Sequence, residues 1–257
     1  TSYYNTFPVS APHPWRRKRG ADPRWVKFYG AGEAKPNGNF TSACGQQVYR
    51  AELFPEKYRG NHFACEPQQN MVHRSIVERD GPGLRAQRPE EHAESEFLSS
   101  SDGWFRPNNL RVGPDGALYI VDMYREIIED YSAIPRYLQQ QYGLLNGDDR
   151  GRIWRLAPVN SKPAPIAAGK MPSVESLKHP NAWWRRTAQR LFVEGAGASG
   201  SATLLDVVRD REAPYQSRIH ALYAADGRGE LRAPDLTAVL LDPHPAVRMH
   251  ALRVGEK

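Results

Sequence analysis

The sequence predicts a mainly β chain with an α part, in which short antiparallel strands give way to helical repeats near residue 158. Three observations predict it. Short apolar runs bounded by turn residues fill the first part, and 21 Pro and 21 Gly supply those turns. A Pro-Asp-Gly turn joins two alternating apolar runs. Beyond residue 171 the hydrophobic period becomes helical and repeats.

Residues 1–38 are rich in Pro, Gly and charge and carry no assignable element. Strands are expected over 47–53, 62–66, 70–77, 96–98 and 151–156. That spacing favours an antiparallel sandwich, barrel or propeller over a parallel sheet, which needs helices between its strands. The clearest pair is 109–112 with 117–121, joined by Gly113-Pro114-Asp115-Gly116. Pro114 fixes φ, Asp115 can bond its own backbone and Gly116 accepts positive φ. Leu110 and Val112, then Leu118 and Ile120, give each strand one buried face. A long excursion over 126–150 interrupts the pattern, with a short helix expected at 134–143.

The stretch 159–171, rich in Pro, Ala and Lys, reads as a linker between residues 1–158 and the helical part, 172–257. Three segments then align without gaps, beginning at Pro180, Ala213 and Pro243. Arg185, Arg218 and Arg248 share one slot, and Ala188, Ala221 and Ala251 follow three residues later. Such spacings suit stacked helix pairs. Trp184, Ala188, Leu191 and Phe192 form one apolar stripe, as do Ile219, Leu222 and Tyr223. Asn181 is placed to cap the first helix; partner helices are expected at 202–209 and 235–241. Helical repeats bury their cores against neighbours, and no polar closing helix follows the third. The chain is therefore expected to be a truncated piece.

Composition narrows the function classes. The net charge of +6 gathers partly at Arg16-Arg17-Lys18-Arg19 and at Arg185, Arg186 and Arg190. No zinc-finger spacing, aromatic RNA-binding strand or phosphate loop accompanies it, so nucleic acid is not the expected partner. No apolar run is long enough to span a membrane. The chain lacks an initiator Met and a charged-then-apolar start, so a targeting signal is expected to be absent or removed. The two cysteines, Cys44 and Cys65, are too few for a zinc site, and no C-x-x-C-H haem motif occurs. Two readings stay open for them: a disulfide between neighbouring strands, or two buried free thiols.

Several pieces together carry a family resemblance: Ser42-Ala-Cys-Gly45, Tyr58-Arg-Gly-Asn61, Cys65-Glu-Pro67 with Asn70-Met-Val-His-Arg74, Trp104-Phe-Arg-Pro107, the Pro-Asp-Gly strand pair ending in Asp122-Met-Tyr-Arg125, and Asp149-Arg-Gly-Arg-Ile-Trp154. In that order they resemble the C-terminal part of the planctomycete and verrucomicrobial membrane-bound dehydrogenases, whose propeller is related to sugar dehydrogenases that use pyrroloquinoline quinone. Residues 179–190 resemble the HEAT-like repeats that follow that propeller. The resemblance covers about residues 39–257. It implies a partial β-propeller of antiparallel blades followed by an α-solenoid of HEAT-like repeats. It also implies an exported, periplasmic or membrane-associated protein that oxidises a sugar or alcohol. The quinone, and calcium, would bind within the propeller; the remaining blades and a c-type haem domain would lie outside this chain.

For the chemistry, Arg106, Asn108, Asp122, Tyr124 and Arg125 flank the ends of the strand pair and are the cofactor-binding candidates. An Arg there could hold a quinone carboxylate, and Asp122 could ligate calcium. The competing structural reading has Asp122 capping a turn and Arg106 pairing with it. His73 is the catalytic candidate, as a proton acceptor, set against an ordinary structural strand histidine; the same applies to His62. Trp183 and Trp184 read as packing rather than a stacking platform. Repeat arginines usually bond nearby carboxylates or carbonyls, the reading set against anion binding by Arg185, Arg218 and Arg248. The carboxylates Glu126, Glu129, Asp130, Asp148 and Asp149 are too scattered for a metal site. A non-catalytic interaction module is the alternative function.

Overall fold

The computed structural model describes residues 40, 42–126, 146–162, 173–195 and 203–256, with Pro23 and Ile128 besides. The helix expected at 134–143, Glu129, Asp130 and most of the linker lie outside the described residues, as does Arg16-Arg17-Lys18-Arg19. The chain is a mixed fold of antiparallel sheets and α-helices, divided into two compact units. One comprises residues 1–49, 55–112 and 117–159; the other comprises 50–54, 113–116 and 160–257.

The first unit holds eight described strands: β1 (Cys44–Val48), β2 (His62–Glu66), β3 (Met71–Asp80), β4 (Gly83–Gln87), β5 (Leu98–Ser99), β6 (Pro107–Val112), β7 (Leu118–Asp122) and β8 (Arg152–Leu156). One sheet runs β1-β2-β3-β4, with β5 also on β3; the other runs β6-β7-β8. Every pairing is antiparallel. The alternation expected at 109–112 and 117–121 is present, with Leu110, Leu118 and Ile120 buried on one face. Among the described residues the sheets form no closed barrel or propeller.

Three strand assignments need correction; of the strand expected at 96–98 only Leu98 is in one, as the first residue of β5. Residues 47–53 are not one strand: β1 begins at Cys44 and stops at Val48, and 51–54 are bends. Their apolar residues Ala51 and Phe54 are buried all the same, as part of the second compact unit. β4 was not expected, because all five of its residues are exposed and show no alternation. β1 lies against β6, and Gly45 is the residue that allows it. Its φ is +58°, and a Cβ there would come within 2.6 Å of the Asn108 carbonyl oxygen.

The second unit carries α1 (Ala182–Val193), α2 (Leu204–Arg209), α3 (Tyr215–Gly227), α4 (Ala233–Leu240) and α5 (Pro245–Gly255). Asn181 caps α1, its side-chain oxygen accepting from Trp183 N at 2.8 Å. The core gathers Ala188, Phe192, Val207, Ala221, Leu222, Val247 and Ala251. Trp184 is only half-buried; its indole N–H donates to the Pro114 carbonyl at 3.0 Å. Trp183 meets Trp184 edge-to-face, so the pair packs together.

The shared arginine slot does one job in all three segments. Arg185 donates to the carbonyls of His179 and Pro180, Arg218 to those of Arg211 and Ala213, and Arg248 to those of Asp242 and Pro243. Each side chain reaches back to bind carbonyls of the loop entering its own helix. Such carbonyls have no helical partner, so the bonds satisfy groups that burial would otherwise leave unpaired.

Candidate functional site

The strand unit places its most reactive geometry on β3. His73 lies opposite Ala64 on β2, on the face that also carries His62. β5 docks on the other side of β3, with Leu98 opposite Val72 and Ser99 opposite Met71. The chain entering β5 thereby brings Glu96 beside His73. His73 Nδ1 donates to Glu96 Oε2 at 2.8 Å, with both side chains 3 % exposed. Arg88 holds the other carboxylate oxygen, Oε1, and spans the His92 and Ser95 carbonyls at 2.6 Å each.

Burial works against the charge on Glu96, but the hydrogen bonds from His73 and Arg88 outweigh it and keep the carboxyl below its usual range. An ionised carboxylate only accepts, so the His73 proton sits on Nδ1. Nε2 is left as a bare acceptor; it is buried and has no hydrogen-bond partner among the described residues. The Phe40 ring stands edge-on, 5.2 Å away between centroids. Chemically this is an imidazole oriented by a carboxylate, with its second nitrogen ready to accept a proton. His62 is close enough for His73 to lower it, after burial, and its Nε2 meets the Gln46 side-chain oxygen at 3.4 Å.

Four of the five cofactor candidates, Arg106, Asp122, Tyr124 and Arg125, come together, but as a closed network. Asp122 Oδ1 accepts from the backbone N–H of Arg106 at 2.8 Å and of Tyr124 at 3.0 Å. Asp122 Oδ2 accepts from the Trp154 indole at 2.9 Å. Arg106 donates from Nε to the Arg125 carbonyl at 2.9 Å, from Nη1 to the Pro67 carbonyl at 3.0 Å, and from Nη2 to the Glu126 carbonyl. Tyr124 takes a left-handed φ of +48°, with its ring between Trp104 and the Arg152 guanidinium. Asn108 stands apart, its side-chain oxygen buried and without a partner among the described residues.

This arrangement does not fit a bound quinone or calcium at Arg106 and Asp122. The guanidinium is spread over three carbonyls, and the carboxylate already serves three N–H donors. Part of the competing reading is present: Asp122 caps the turn, although it receives the Arg106 backbone N–H rather than the guanidinium. Among the described residues no group of three or more His, Cys, Asp or Glu side chains could hold a metal ion. Asp148 and Asp149 are exposed, and Glu126 accepts from the Asn146 amide at 3.2 Å. Cys44 and Cys65 are direct register partners across β1 and β2 and are free thiols, each pushed up by burial.

His73 was legible as a strand histidine; its partners were not. Glu96 lies 23 residues away and reaches it only because β5 pairs with β3. Arg88 follows β4, the strand whose exposed residues hid it from the pattern.

The chain belongs to the family described as Domain of unknown function (DUF7133), whose model matches residues 3–160. No curated protein and no solved structure matches it.

Proposed function

We propose that this DUF7133 member is a section of an exported dehydrogenase-like protein that oxidises a sugar or alcohol, with His73 as its proton acceptor. The observation that carries the reading is the buried Nε2 of His73, unpartnered while Glu96 fixes the tautomer from the other side. His73 would take the substrate hydroxyl proton, and Glu96 would stabilise the resulting imidazolium. A quinone-type cofactor would be the two-electron acceptor, held by groups other than Arg106 and Asp122. The remaining blades and a c-type haem domain would lie elsewhere in the same protein.

The finer architecture is part of this proposal: propeller-type blades followed by a HEAT-type solenoid. The successive antiparallel order β6-β7-β8 supports blades. The common carbonyl bonds of Arg185, Arg218 and Arg248 support a true structural repeat.

The test uses the full-length protein supplied with pyrroloquinoline quinone and calcium, assayed for sugar- or alcohol-dependent reduction of an artificial acceptor. Activity is expected, with His73→Gln lowering kcat/KM by about 10²–10⁴-fold and Glu96→Gln altering its pH profile. Undiminished turnover in His73→Gln would remove His73 from the chemistry. No turnover with any sugar or alcohol would overturn the dehydrogenase reading. It would leave the second one, a non-catalytic interaction module, which the commitment of Arg106 and Asp122 to internal bonds favours.

A further inference from the structure

The helical unit contains a concentration of positive charge that its internal bonds do not use up. The Arg50 carbonyl accepts from Ala182 N at 2.8 Å, which places Arg50 at the first turn of α1. Arg185 and Arg186 follow one turn later on the same helix. His220 on α3 closes the group, its Nδ1 2.6 Å from the Gln189 side-chain oxygen on α1.

Arg185 is buried and held by Nη1 on two carbonyls; its Nε, like that of Arg218, has no partner among the described residues. Arg50 and Arg186 are exposed. One carboxylate, Glu52, acts on Arg185, and its Oε2 is buried and unpartnered. Among the described residues, three guanidiniums against one carboxylate leave a local excess of two positive charges. The three are near enough to His220 that, after burial itself, they hold its imidazole down to about 4.

The excess is compact rather than a stripe. In the equivalent slots Arg218 is spent on two carbonyls and Asp242, and Arg248 on two carbonyls. A polyanion needs a row of available cations along its backbone. A small dianion needs two or three converging forks.

We propose that Arg50, Arg185 and Arg186, with His220 behind them, form a binding site for a small dianionic oxyanion of the phosphate-monoester type. Arg50 and Arg186 supply the exposed forks, and Arg185 supplies fixed, buried charge beside them. The site is independent of His73 and of any oxidation.

The experiment titrates the full chain with inorganic phosphate in a chloride background, following heat and the His220 imidazole resonance. Saturable one-to-one binding is expected, with the His220 midpoint rising as phosphate fills the site. Arg50→Gln and Arg186→Gln should each weaken binding by about tenfold or more, while Arg85→Gln on exposed β4 leaves it unchanged. Both are exposed positions, so loss of the fold will not mimic the result. Absence of saturation, or equal loss with Arg85→Gln, overturns the site. Tight duplex-DNA binding with a steep salt dependence overturns the compact site in favour of an extended one.

Discussion

Asp122 and Glu96 are both buried carboxylates of the strand unit, but one closes its network and the other leaves it open. Asp122 serves three N–H donors, two from the backbone and one from an indole, and each donor belongs to the β6-β7-β8 sheet or the turns at its edge. Glu96 serves a guanidinium and an imidazole, and the imidazole ends in an unpaired nitrogen. A buried polar group without a partner costs free energy in every folded molecule. Where a network carries that cost, chemistry is the economical explanation; where every group is satisfied, structure is.

Removing the two centres should show the contrast. Asp122→Ala strands three donors at once and is expected to cost about 4 kcal/mol, seen as a lower denaturant midpoint at unchanged slope. His73→Gln should cost less, about 2 kcal/mol, because only the Nδ1 bond to Glu96 is at stake and Nε2 has no bond to lose. Equal losses would erase the distinction between closed and open networks.

An effect below that of Asp122→Ala lies in the helical unit, at His220. Its folded value, about 4, is below the ordinary 6.5, first by burial and then by Arg185, Arg50 and Arg186. The unfolded imidazole therefore binds its proton first as pH falls. Stability is full above pH 6.5 and declines between 6.5 and 4, by on the order of 3 kcal/mol. His220→Gln should flatten that part of the stability–pH curve. A slope that survives the substitution would assign it to another group.

The smallest signal is chemical. Cys44 and Cys65 are cross-strand register partners, a placement within reach of disulfide geometry. If the protein is exported, the chain isolated without reductant should be lighter by two hydrogens and resist thiol alkylation. Full alkylation after unfolding would place it in a reducing compartment.

Which of these features could be read from the sequence follows from the range of the interaction. Local patterns were legible: the Pro-Asp-Gly strand pair, the Asn181 cap and the repeated arginine slot depend on neighbours within about one turn. Even there the slot's role emerged only from its carbonyl partners. β4 escaped because an exposed hairpin arm carries no apolar alternation, although Asp80-Gly81-Pro82-Gly83 is a turn signal at its start. The partnership of His73 with Glu96 depends on strand pairing across 23 residues, which no local period encodes. Arg50 joined the cations of α1 because β1 ends at Val48 rather than continuing to residue 53.

The arginine of each helical segment ties down the loop that enters its own helix and asks little of the segment before it. The same brace forms at spacings of 33 and then 30 residues, so the stretch between braces tolerates at least that change in length, while the shared core and the Arg218–Asp242 pair still tie each segment to the next.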